Sequence, residues 1–185
     1  VDTEPDKIDV IYNAYDERFG IEPNPDIVSR VRGRYQLQDQ FVLYAGNVKP
    51  RQMVGTVRVH PNGRFVYVAN RHDGNVEFAG RQVNGGGENS LACFAIDAAS
   101  GAPKIIGHAD THGLHCRNFH IDPSGRLLAA SHISGGFVRD GDTAREVPAC
   151  ISLFRIGSDG KLDFARKYDI AIGNRHMFWM GMVDF

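Results

Sequence analysis

With 185 residues, 42% of them hydrophobic and 23% charged, the chain has the composition of a folded globular protein rather than a disordered one. Lys and Arg number 21 against 22 Asp and Glu, a formal net charge of -1, so no overall basic field recruits nucleic acid or an anionic membrane, and neither is expected as a partner. No apolar run approaches the roughly 20 residues that span a bilayer. The acidic start Val1-Asp2-Thr3-Glu4 lacks the pattern of a signal peptide, and the chain reads as cytoplasmic.

Ile8-Asp9-Val10-Ile11 reads as a short strand followed by a polar loop. A helix is expected next, with Asn24 as its cap, Pro25 in its first position, and Ile27, Val28, Val31 and Tyr35 on one stripe. Phe41-Val42-Leu43-Tyr44-Ala45 is a continuous apolar strand of the kind buried on both faces in an α/β sheet. Asp6 through Asp16 with Phe19, and then Phe41 through Pro50, resemble the interdomain region of a retaining, two-domain glycosyltransferase. The resemblance stops at about residue 50, and the later paired-glutamate donor motif of that family is not recognisable further on. Residues 1–50 are therefore expected to form a small α/β segment.

From Met53 onward the texture is all-β and the chain repeats itself. His60-Pro61-Asn62-Gly63-Arg64 returns as Asp122-Pro123-Ser124-Gly125-Arg126, 62 residues later. Each turn follows an alternating run (Thr56-Val57-Arg58-Val59, Asn118-Phe119-His120-Ile121) and precedes an apolar one (Phe65-Val66-Tyr67-Val68, Leu127-Leu128-Ala129-Ala130). Ser90 through Asp97 is echoed by Cys150 through Ile156, and the glycines that end the following turns, Gly101 and Gly160, lie 59 residues apart. Four short strands per unit at such a period mark propeller blades, and two are visible. The fold class expected is mainly β: two four-stranded antiparallel blades, an incomplete propeller, preceded by the α/β segment.

Two insertions, residues 71–89 and 132–148, fall between the second and third strands. Gly85-Gly86-Gly87 in the first is followed by strand residues rather than the helix a phosphate cradle requires, so a flexible loop is expected there. Cys93, Cys116 and Cys150 are odd in number and lack CxxC spacing, which indicates neither a disulfide framework nor a cysteine-rich zinc site; Cys93 and Cys150 are expected to pack as small apolar residues. His108, His112, His115 and His120 invite a metal reading, but Asp110, Thr111 and Gly113 suggest a turn where ligand alignment would need a helix. No metal or cofactor set is expected. Phe178 and Trp179 read as blade-packing core.

Val68-Ala69-Asn70-Arg71, Asn89 through Asp97, Gly101, His115 through Gly125 and the tail Met177 through Val183 resemble the lactonase-type seven-bladed β-propeller family, which includes a 6-phosphogluconolactonase and a muconate-cycle lactonising enzyme. The resemblance covers residues 53–185, with Cys116 standing where the family usually has proline. It implies a lactone hydrolase acting on a small-molecule lactone. Lactone hydrolysis needs a cation to polarise the carbonyl and a base to activate water. Arg71, His115 and Arg117, at strand ends in the matching motifs, and Glu88 in the adjoining insertion are the candidate catalytic residues. Two blades where seven close a ring imply impaired catalysis and self-association through open blade edges. A non-catalytic binding module is the alternative, and glycosyl transfer rests on the first 50 residues alone.

Overall fold

The computed structural model describes residues 52–183, which form twelve strands. The α/β segment expected over residues 1–50 lies outside the described residues. One antiparallel sheet contains β1 (Gln52–Val59), β2 (Phe65–His72), β5 (Ser90–Ile96) and β6 (Pro103–Asp110), in that order across the sheet. A second contains β7 (Cys116–Ile121), β8 (Leu127–His132), β11 (Cys150–Ile156) and β12 (Leu162–Asp169) in the same order. The fold class read from the repeat is therefore present: two four-stranded meanders of an incomplete propeller. Among the described residues no helix is long and apolar enough to cross a membrane.

The two blades agree in local detail. Gly63 and Gly125 both take φ of 71°, a left-handed conformation that costs glycine little and closes each first hairpin. The closing bonds correspond, from Gly63 N–H to His60 O and from Gly125 N–H to Asp122 O, both at 2.8 Å. Register shifts recur at equivalent places, in β1 between Val54 and Val57 and in β7 between Cys116 and Asn118. A second pair falls in β6 and β12, where Ile106 opposite Cys93/Phe94 and Ala165 opposite Leu153/Phe154 are the extra residues. Bulges raise the local twist of a strand, so their recurrence gives both sheets the same curvature.

The core lies between the blades. Phe65, Tyr67 and Ala69, alternate residues of β2, cluster with Leu91 and Cys93 of β5 and with Cys116, Phe119, Ile121, Leu128, Ala130 and Phe154 of the second blade. All three cysteines are buried free thiols, as expected for Cys93 and Cys150. The His60 ring crosses the joint at one end, its Nε2–H donating to Gly125 O at 2.7 Å while Nδ1 accepts from Asn62 N–H at 3.1 Å. Along the innermost strands, Thr56 Oγ1 donates to Arg117 O at 3.1 Å and Arg58 Nε to Phe119 O at 2.7 Å. Tyr67 donates its hydroxyl to Gly160 O, 2.9 Å away in the β11–β12 turn.

Two expectations are corrected. The insertions are not plain loops: each folds as a hairpin, β3 (Asn75–Phe78) with β4 (Arg81–Asn84), and β9 (Gly136–Asp140) with β10 (Thr143–Val147). They clasp each other, the Arg81 guanidinium lying 4.9 Å from the centre of the Phe137 ring and that of Arg139 lying 4.7 Å from Phe78. The glycine run is likewise built in. Gly85 N–H bonds to Gly74 O at 2.9 Å, and a Cβ at Gly87 would overlap the ring of buried His72, so only glycine lets the chain pass. The second correction concerns Phe178 and Trp179, which are 51% and 76% exposed. Their tail reaches β7 through two hydrogen bonds, Asn118 Nδ2 to Met180 O at 2.9 Å and Met182 N–H to His120 Nδ1 at 3.3 Å, and no strand among the described residues pairs with it.

Candidate functional site

Strands β2 and β7 run so that the end of one and the start of the other lie together, at the end of the blades opposite the His60 turn. Arg71 stands near the end of β2 and His115 immediately before β7. Their side chains meet, with Arg71 Nη1 2.5 Å from His115 Nε2. A guanidinium has no acceptor, so it is the donor and Nε2 carries the imidazole lone pair; in the neutral ring the proton sits on Nδ1. His115 holds φ of 55°, a left-handed conformation unfavourable for a non-glycine residue. Such strain persists only where the surroundings enforce it and is concentrated at functional sites.

The enforcing contacts come from residues that no spacing pattern marks. Asn89 Oδ1 accepts His115 N–H at 2.7 Å and His72 N–H at 3.2 Å, joining the two blades through one carboxamide oxygen. Thr111 adds its backbone N–H and its hydroxyl to Asn89 O, at 3.1 and 2.9 Å. Gln52 Nε2 donates to Arg71 O at 3.2 Å and to Glu88 O at 2.9 Å, while its Oε1 accepts Glu88 N–H at 2.8 Å. Gln52 thus fixes the main chain on both sides of the arginine. Sequence offers little signal for it, because an amide at the start of a strand is commonplace; Asn89 could be suspected only from its place at the junction of insertion and strand.

Of the four candidates, Arg71 and His115 are brought into contact. Burial first, and then the charge of nearby Arg117, lower the pKa of the Arg71 guanidinium. Two cations therefore lie close enough to interact, and the Asp73 carboxylate nearby acts on Arg71 in the opposite direction. Arg117 itself lies over the exposed Phe178 ring, 4.9 Å from its centre. The Glu88 carboxylate accepts the Ser90 hydroxyl at 2.5 Å and stands 3.4 Å from His108 Nδ1, on the side of the outer strand β6. The histidines considered as metal ligands go to separate neighbours. His108 meets Glu88, His112 stacks 3.9 Å from the Phe164 ring, His115 meets Arg71, and His120 accepts Met182 N–H at 3.3 Å.

A second cluster escaped the sequence reading. His132 is fully buried and its Nδ1 lies 3.0 Å from Cys150 O. A carbonyl cannot donate, so Nδ1 carries the proton. The Cys150 thiol is 3.2 Å from the same nitrogen, and burial pushes its pKa up, which keeps it protonated and unreactive.

Residues 28–139 match the model of a family described as lactonase, 7-bladed beta-propeller. The match begins inside the segment 1–50, ahead of the boundary expected near residue 50. A 6-phosphogluconolactonase of Formosa agariphila is 39% identical over 93 residues, 48% of this chain and 23% of that protein. One from Bacillus subtilis is 33% identical over 103 residues, 52% of this chain and 25% of that protein. The structure of a periplasmic gluconolactonase of Pseudomonas aeruginosa superposes with a TM-score of 0.49 at 20% identity, covering 72% of this chain and 30% of that one. The chain spans about a quarter of the length of the curated relatives it matches.

Proposed function

Because the chain belongs to the lactonase family of seven-bladed β-propellers, we propose that it supplies two blades and part of the catalytic end of a sugar-lactone hydrolase of the 6-phosphogluconolactonase kind. The observation that carries this reading is the Arg71–His115 pair, held between blades on a strained backbone. At rest the guanidinium occupies the imidazole lone pair. An incoming lactone would draw Arg71 to its carbonyl oxygen, where the cation stabilises the charge that develops as water adds. The same movement frees His115 Nε2 to take a proton from that water. The carbonyl carbon then holds the new C–O bond, the ring C–O bond breaks, and the ring oxygen leaves with a proton. Arg117, close enough to perturb Arg71, suits the negative charge of a phosphorylated sugar lactone.

Catalytic groups in a propeller are gathered from several blades around one axis, and a misplacement of about 1 Å already costs roughly a hundredfold in rate. Two blades alone should therefore bind better than they turn over. Titration of the purified chain with 6-phosphogluconate, followed by NMR, tests the reading without depending on catalysis. Shifts at His115 and around Arg71 that disappear in Arg71→Ala support it; a spectrum in which those resonances stay still while lactone hydrolysis is also undetectable overturns it. The alternative of an association module is favoured by one observation, the exposed tail beside β7. Glycosyl transfer rests on the resemblance of residues 1–50 alone.

A further inference from the structure

Neither Arg71 nor His115 lines a cavity of about 480 Å³ beside the second insertion hairpin, a size within the roughly 300–1,000 Å³ of small-molecule sites. Its walls are Val138, Arg145 and Val147 of the β9–β10 hairpin, Phe164 and Lys167 of the outer strand β12, and the chain from Asp110 to Leu114 that leads from β6 to β7. Strand neighbours alternate, so Val138 and its cross-strand partner Arg145 face the cavity while Phe137 and its partner Glu146 turn to the other face of the hairpin. The floor is fixed. Asp110 Oδ1 accepts His112 N–H at 2.6 Å in a turn that puts His112 at φ 58° and its ring 3.9 Å from that of Phe164. A Cβ on the next residue, Gly113, would lie 2.6 Å from Cys150 Sγ and from the His132 ring, both buried. The turn therefore cannot sink inward, and the space over it exists before any ligand arrives.

We propose that this cavity binds a flat aromatic carboxylate, its ring packed against the Phe164–His112 wall and its anionic end on Lys167 and Arg145. Phe164 is 46% exposed, an aromatic surface left open beside the aliphatic side chains of Leu114, Val138 and Val147. Two cations are set into that surface. Lys167 Nζ pairs with Asp169 at 3.0 Å and Arg145 Nε with Asp140 at 3.1 Å, yet neither of those acids lines the cavity. Among the described residues the carboxylate that does line it is Asp110, already engaged by the His112 N–H. The partner acids Asp169 and Asp140 reach solvent, so both ion pairs are weak and give way to an anion that brings an apolar body with it. A few polar groups on a mostly apolar wall are the usual means by which such a site orients its ligand. This inference is independent of the lactone chemistry, because it uses none of the residues of the Arg71–His115 site.

The test titrates the purified full chain, followed by NMR, with 2-naphthoate, with 2-naphthamide as its neutral isostere, and with acetate as an anion without a ring. Expected for naphthoate are shifts at His112, Val138 and Val147 and a dissociation constant of about 1 mM or tighter. Naphthamide and acetate should each bind at least about tenfold more weakly, and naphthoate should lose the same factor when Lys167→Gln and Arg145→Gln are introduced together. Val138→Trp fills the cavity with every charge in place and should abolish the shifts. Arg71→Ala should leave them unchanged; their loss there would put the ligand at the Arg71–His115 pair and overturn the proposal. Equal binding of acid and amide, acetate as tight as naphthoate, shifts that survive Val138→Trp or the paired glutamine changes, or no naphthoate binding at that affinity would each overturn it as well. The three ligands on the unaltered chain decide the matter whether or not every variant folds.

Discussion

Gly63 and Gly125 provide a matched pair for measuring what holds the two blades together. Both have φ of 71° in equivalent turns, yet a Cβ at Gly63 meets nothing within 4 Å, whereas one at Gly125 would lie 2.6 Å from His60 Cε1 and 2.7 Å from Nε2. Gly63→Ala should therefore cost only the left-handed backbone term, about 1–2 kcal/mol. Gly125→Ala pays the same and must also push out the His60 ring. That breaks a 2.7 Å bond in a buried place and strands the Gly125 carbonyl, adding about 1–3 kcal/mol for a total near 2–5 kcal/mol. Urea unfolding followed by fluorescence should show a lower midpoint for Gly125→Ala than for Gly63→Ala at unchanged slope. In a His60→Ala background the excess should vanish, because the ring that clashes is gone. Equal midpoints for the two alanine variants, or an excess that survives in the His60→Ala background, would refute the reasoning.

Burial holds the His132 pKa down at about 4 against an ordinary value of 6.5. The unfolded chain takes up the proton first as pH falls, so stability is complete above about 6.5 and declines toward pH 4 by about 3 kcal/mol. Unfolding midpoints measured between pH 7.5 and 4.5 should show this slope, and His132→Asn, which keeps a donor for Cys150 O, should flatten it. Phe119→Ala removes a fully buried ring from the joint and should cost about 3–5 kcal/mol by denaturant titration. Arg139→Ala removes one exposed half of the hairpin clasp and should cost only about 0.5–1 kcal/mol, read most sensitively as faster hydrogen exchange in β3 and β9. In any assembly that hydrolyses lactone, Arg71→Lys should fall well below wild type in kcat, since a lysine cannot serve both the His115 nitrogen and a carbonyl with one planar group.

How far the sequence could be read follows from which residues had to be special. The blades were legible because their turns demand glycine at φ near 70°, leaving Asn62-Gly63 and Ser124-Gly125 as fixed marks 62 residues apart. The insertion hairpins were not, because the first turns on Ala79-Gly80, with Ala79 at φ 50°, and its strands are only four residues long. Arg71 and His115 could be singled out by their chemistry and their place at strand ends. The contact between them depends on Asn89 and Gln52 bridging backbones, which leaves no periodic trace. Trp179 was read as core because large aromatics are usually covered. In the structure it is exposed, on a tail tied to β7 through Met180 and Met182, a placement that leaves no mark in the sequence pattern.

The blades touch at three heights: the His60–Gly125 bond at one end, Thr56 and Arg58 reaching β7 along the middle, and the crossed Arg–Phe contacts of the insertion hairpins at the other end. A joint pinned at one point can swivel, and one pinned at two can still twist about the line between them. Attachments spread along the strands still leave rotation about their own line, and the core packed between the sheets opposes that motion, so the wedge angle between neighbouring sheets is held. That angle, repeated from sheet to sheet, sets how many sheets complete a circle. A pair of blades held in this way already carries the curvature of the whole ring in a single seam.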